Sequence, residues 1–133
     1  MTITTWKTGE TGVVDDDGAG DGDVTVVRVS GELDIRAAPE LRGVLRGLLR
    51  HDGDAGAPRV VVDLREVTFM DSTALGVLVQ AYKTARAHRR TFALVSTSPR
   101  VAALFRVTAM QHVMPLHPDV PTALGRTAPA RAG

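Results

Sequence analysis

Residues 59–64 read RVVVDL, and the three consecutive valines Val60, Val61 and Val62 constrain the fold more than any other stretch. A short β-branched run without polar alternation is apolar on both faces, as a central parallel strand should be. Parallel strands need long crossovers, usually helices, and the flanking sequence supplies them. In residues 37–50, Leu41, Val44, Leu45, Leu48 and Leu49 recur at helical spacing. Pro39 falls in that helix's first turn, where a missing N–H is harmless. In residues 73–89, Leu75, Leu78, Val79, Tyr82 and Ala85 share one face.

The remaining elements are shorter. Residues 24–30, VTVVRVS, predict a strand ended by Gly31, and residues 91–96, TFALVS, predict another. Ser98-Pro99 opens a short helix, with serine as cap, proline at the first position, and Val101, Leu104 and Phe105 on the buried side. Residues 112–116 predict a short last strand and residues 120–124 a short last helix. Residues 2–14 carry a weak edge strand. This alternation predicts an α/β domain with a mixed, mostly parallel sheet of about four to five strands packed by about four helices. Right-handed crossovers fix the side on which each helix packs, and the early strand–strand step adds one antiparallel or edge pairing.

A chain of 133 residues is one domain, assigned here to residues 1–125, with residues 126–133 a disordered tail. Residues 15–23, DDDGAGDGD, read as an acidic, glycine-rich loop. Clustered aspartates suggest calcium, but the spacing is not that of an EF-hand and no closing glutamate follows. Residues 51–58 form a second loop.

Composition narrows the function. Aromatics are only 4%, so the core must be built from Val, Leu and Ala. No apolar run is long enough to cross a bilayer, and the N-terminus lacks the apolar stretch of a secretory signal. The absence of cysteine excludes disulfides and thiolate metal sites. The expectation is a cytoplasmic protein without direct membrane insertion. A net charge of +1 leaves no electrostatic footprint for nucleic acid. Arg42, Arg46 and Arg50 recur at i, i+4 and i+8 and read as a solvated helix face.

Enzyme chemistry finds little footing. No G-x-G-x-x-G, no G-x-x-x-x-G-K-[ST] and no G-x-S-x-G occurs at a fitting position. His51, His88, His112 and His117 read as surface or loop residues. The chain is therefore expected to be no enzyme, with no catalytic residue, cofactor or metal of its own.

Residues 68–76, TFMDSTALG, carry the functional signal. Ser72 and Thr73 follow Asp71 at the N-cap or first turn of a helix, where unpaired N–H groups and the positive end of the macrodipole point. Ser72 has two readings. It caps the helix, as serine often does. Alternatively it is a switch, because a phosphoryl group there meets those donors and adds about −1.5 to −2 charges beside Asp71.

Three segments carry a resemblance: Ser30-Gly31-Glu32-Leu33-Asp34; Val62-Asp63-Leu64 through Met70-Asp71-Ser72-Thr73-Ala74-Leu75-Gly76-Val77-Leu78; and Ser98-Pro99-Arg100-Val101 through Leu104-Phe105-Arg106-Val107-Thr108. In this order and spacing they resemble the single-domain STAS proteins that act as anti-sigma factor antagonists in bacterial partner switching. The resemblance implies a STAS fold and a binding protein that, unphosphorylated, holds an anti-sigma factor which is also a serine kinase, and so frees a sigma factor. It implies that this kinase phosphorylates Ser72, with Thr73 the weaker acceptor, and that a PP2C-type phosphatase reverses the change. ATP and metal then belong to the partners. Asp34, Asp71, Thr73, Ala74 and Gly76 are expected at the docking surface, although Asp34 equally reads as a cap for the helix after it.

Ala74 and Ala109 stand where the family usually has glycine. STAS domains also serve as accessory subunits of membrane transport systems, the alternative expectation for this chain.

Overall fold

The computed structural model describes residues 1–7, 24–50 and 59–125. Its elements run β1 (Thr2–Lys7), β2 (Val24–Leu33), α1 (Ala38–Leu49), β3 (Arg59–Met70), α2 (Ser72–Ala87), β4 (Phe92–Val95), α3 (Pro99–Val107), β5 (Leu116–His117) and α4 (Val120–Ala123). A single 3-10 turn, Met110–His112, follows α3. The strands form one sheet in the order β1-β2-β3-β4-β5. β1 is antiparallel to β2, and every other pairing is parallel. The mixed sheet is as expected. The acidic segment, the second loop and the tail lie outside the described residues.

The valine run behaves as its composition dictates. Val60, Val61 and Val62 are all completely buried. Val60 and Val62 join Val27, Val29 and Leu94 in the main core, together with Leu41 and Leu45 of α1 and Leu75 and Leu78 of α2. Val61 points the other way, joining Val24, Val26 and Val95 in a smaller core against Trp6 and α4. Phe105 of α3 is fully buried in the main core, while Leu104 is only partly buried. Ser98 caps α3 through its Oγ, which accepts the Val101 N–H at 3.3 Å.

Three boundaries differ from the sequence reading. The last strand is Leu116–His117 and not 112–116, because His112 is drawn into the 3-10 turn. β3 does not end at Leu64 but continues six residues to Met70, directly before the cap of α2. β2 does not end at Gly31 but runs through it to Leu33. Gly31 has φ +91°, and the β2–β3 register shifts on either side of it, between Arg28 and Ser30 and between Gly31 and Glu32. Glycine here permits a bulge and does not stop the strand. A Cβ on Gly31 would lie 3.3 Å from the Met1 Cα. Gly31→Ala is expected to cost about 1–2 kcal/mol, read as a lower urea midpoint; an unchanged midpoint would refute the strain.

Candidate functional site

The extended ends of β2 and β3 run side by side and deliver their last residues to one place, with Leu33 paired to Met70. Asp71 is the junction between β3 and α2. Its backbone is extended, and its Oδ1 accepts the Ala74 N–H at 3.0 Å, which makes it the N-cap of α2. Its carbonyl accepts the Leu75 N–H at 3.1 Å, and its N–H donates to the Leu33 carbonyl at 3.3 Å. Its other carboxylate oxygen, Oδ2, accepts the Ile35 N–H at 3.0 Å. One aspartate thus starts the helix and clasps the end of the neighbouring strand. Asp71→Ala should cost about 1–2 kcal/mol, from the lost cap and the lost clasp together. Denaturant titration reads it, and an unaltered midpoint would show that the clasp carries no stability.

Ser72 is therefore not the cap. It occupies the first helical position and is exposed. Its hydroxyl makes no hydrogen bond to any described residue. Of the first-turn donors, the Ala74 and Leu75 N–H groups are taken by Asp71. Those of Ser72 and Thr73 have no acceptor among the described residues and sit at the positive end of the helix dipole. Thr73 is half-buried and less accessible than Ser72.

Asp34 lies across from this helix start. Its Oδ1 accepts the N–H groups of Arg36 and Ala37, at 3.0 and 3.2 Å, and its carbonyl accepts those of Ala37 and Ala38. Of the two roles left open for it, capping of the turn into α1 is the one observed. Its side chain keeps 20% exposure, with the Arg36 guanidinium 3.7 Å away. A shallow depression beside it is lined by Glu32, Asp34 and Glu40 against Arg36, so acids outnumber the arginine there.

Gly76 is exposed one turn along α2, and a Cβ there would meet nothing within 4 Å. Packing does not require the glycine, which costs a helix about 1 kcal/mol relative to alanine. It leaves bare backbone next to Ser72's face. Ala74, expected at the docking surface, is completely buried and faces the core. Its methyl cannot touch a partner and acts only through the packing of α2.

Two residues escaped the sequence reading. Ile35 is 63% exposed and Phe69 40% exposed. Ile35 donates its N–H to Asp71, and Phe69 precedes Asp71 by two residues. Both are exposed large apolar groups tied to the Asp71 junction, Ile35 by its hydrogen bond and Phe69 through the chain. Their signal in the sequence was an apolar residue within two positions of each aspartate, Ile35 after Asp34 and Phe69 before Asp71. Of the histidines, His88 is exposed at the end of α2, His112 is exposed in the 3-10 turn and His117 is half-buried in β5; His51 lies outside the described residues. No group of His, Asp and Glu placed to hold a metal occurs among the described residues. No helix among them is long and apolar enough to cross a membrane.

The described residues thus form a small α/β domain with an exposed serine in the first turn of α2, directly after the aspartate that caps that helix. The chain belongs to the STAS domain family, whose model matches residues 19–123. An anti-sigma-B factor antagonist of Staphylococcus aureus (strain NCTC 8325 / PS 47) is 35% identical over 88 residues, spanning 66% of this chain and 78% of that protein. The crystal structure of an anti-sigma factor antagonist from Mycobacterium paratuberculosis superposes with a TM-score of 0.69 at 29% identity, covering 93% of this chain and 92% of that one. An anti-sigma-factor antagonist (STAS) domain protein from Planctomyces limnophilus gives a TM-score of 0.67 at 25% identity, covering 79% and 91% respectively.

Proposed function

We propose that this chain is an anti-sigma factor antagonist switched at Ser72. With a free hydroxyl it binds an anti-sigma factor that is also a serine kinase. The observation that carries this reading is the division of labour at the start of α2: Asp71 caps the helix, and Ser72 is left exposed without a hydrogen bond to a described residue. The named antagonists among its relatives support the same class.

In the modification step, the Ser72 Oγ attacks the γ-phosphorus of ATP bound to the kinase. The bond to the bridging oxygen breaks, ADP leaves, and the hydroxyl proton passes to a base of the kinase. The product adds about −1.5 to −2 charges next to Asp71 and the acids lining the depression at Asp34. The phosphoryl oxygens have the Ser72 and Thr73 N–H groups as local donors. A partner fitted to a neutral hydroxyl and to Ile35, Phe69 and Gly76 is then repelled. A PP2C-type phosphatase restores the hydroxyl by hydrolysis. ATP and metal sit on the partners, and the exchange takes place in the cytoplasm.

The test is partner capture. The unphosphorylated chain should retain the cognate anti-sigma factor on a column, and the chain carrying phosphate at Ser72, located by peptide fragmentation, should not. Equal retention of both forms would remove the switch from this reading.

A further inference from the structure

Away from Ser72, α1 and α2 leave an open groove of about 400 Å³ between them. Arg42 and Arg46 line it from α1, Arg50 from that helix's C-cap and Lys83 from α2. No acid is among the described residues lining it. None of these four cations makes a hydrogen bond or ion pair to a described residue. Between them lie the buried apolar side chains Leu45, Val77 and Ala81. Helix stability does not account for the row, since like charges four residues apart, as at Arg42 and Arg46, repel.

We infer that this groove takes an acidic, partly apolar peptide segment of a partner protein. Carboxylates of the segment lie along the arginines and its apolar side chains lie on the groove's floor. Charge complementarity favours an acid-bearing occupant. Shape favours a chain over a single anion: the three arginines span about 12 Å at 1.5 Å per residue, whereas one phosphate needs donors converging on a point. Shape also disfavours a lipid surface, which meets projecting side chains and would leave a recessed apolar floor unfilled. The groove meets α2 from Val77 onward, beyond the turn that bears Ser72, so its occupancy does not depend on the switch.

The probe is a short fluorescein-labelled peptide of alternating Glu and Leu, titrated with the full chain and followed by anisotropy. Wild type, Ser72→Ala and Arg100→Glu, a reversal on exposed α3, should bind alike. The double variant Arg42→Glu/Arg46→Glu should bind about tenfold more weakly or worse. Added salt should weaken wild-type binding as the exposed charges are screened. If the reversal does not fold by circular dichroism, Arg42→Gln/Arg46→Gln serves in its place and should show the same sign. Equal binding by wild type and the folded double variant overturns the proposal. So does capture of wild type by phosphatidylglycerol vesicles without peptide binding, which would assign the patch to a membrane surface. Loss of kinase modification in Ser72→Ala with peptide binding intact separates this proposal from the switch.

Discussion

Incubated with ATP and its cognate anti-sigma kinase, the wild-type chain is expected to gain phosphate on Ser72, and the Ser72→Ala chain to gain none. The effect should be complete, because the reaction needs the Oγ and no neighbour replaces it. Thr73 carries a hydroxyl one residue on, but it is half-buried, whereas Ser72 is exposed. The alanine variant should fold normally. The helix cap is the Asp71 carboxylate, which accepts the Ala74 N–H, and Ser72 contributes no hydrogen bond to a described residue that alanine would lose. Loss of modification can thus be separated from loss of structure. Phosphate appearing on Ser72→Ala to the wild-type extent would overturn the assignment and point to Thr73. Ser72→Asp should weaken partner binding only in part, since one charge and two oxygens poorly imitate a phosphoserine.

The second large effect concerns stability and lies on the opposite face of the sheet. Asp63 is 1% exposed. The Arg65 Nε and Nη2 donate to its carboxylate at 3.0 and 2.9 Å, the Arg65 backbone N–H donates at 3.0 Å, and the Arg28 Nε donates at 3.3 Å. Arg28 also stacks its guanidinium 4.9 Å from the centre of the Trp6 ring, which ties the edge strand β1 to the network. Burial alone pushes the Asp63 carboxyl up. The Arg65 hydrogen bonds and the charges of Arg65 and Arg28 outweigh that and hold it below the ordinary carboxylate value.

Asp63→Asn should cost about 2–3 kcal/mol at neutral pH. Removing one partner of a buried pair costs more when the other stays buried, but here both arginine side chains keep contact with water, at 38% and 36% exposure. The pH dependence has a definite sign. A carboxyl whose folded pKa is lowered stabilises the fold above its unfolded pKa of about 3.9. That stabilisation is lost as the pH falls through the lower, folded value. Urea midpoints of wild type and Asp63→Asn should therefore differ at neutral pH and converge in acid. A constant gap across this range would mean that the ionised carboxylate is not what stabilises the network.

Much of this molecule was legible from local pattern. The valine run gave a central strand, and helical spacing of leucines placed α1 and α2 to within a residue or two. Ser98 was recognisable as a cap because capping is decided within four residues. The place of Ser72 at a helix start was also legible, but whether it capped that helix was not: a serine there can cap or be free. That choice turned on whether Asp71, one residue earlier, took the cap.

What the tertiary structure alone decided has a common physical origin in contacts between residues far apart in the chain. β2 and β3 run past their expected ends because each supplies the other's backbone partners there, from Glu32 opposite Phe69 to Leu33 opposite Met70. The clasp between Asp71 and Ile35 joins residues 36 apart in sequence, and it turns an acid expected only at a docking surface into a structural residue. Asp63 reads as one more strand residue until Arg28, 35 positions away, is folded against it. Burial is decided the same way. Ala74 and Gly76 stand two residues apart in one helix, but the first faces the core and the second faces solvent. Periodicity fixed the elements and the serine, because it acts over one or two turns. Packing decided which face of α2 was spent on the core, and so which residues beside Ser72 remained for a partner.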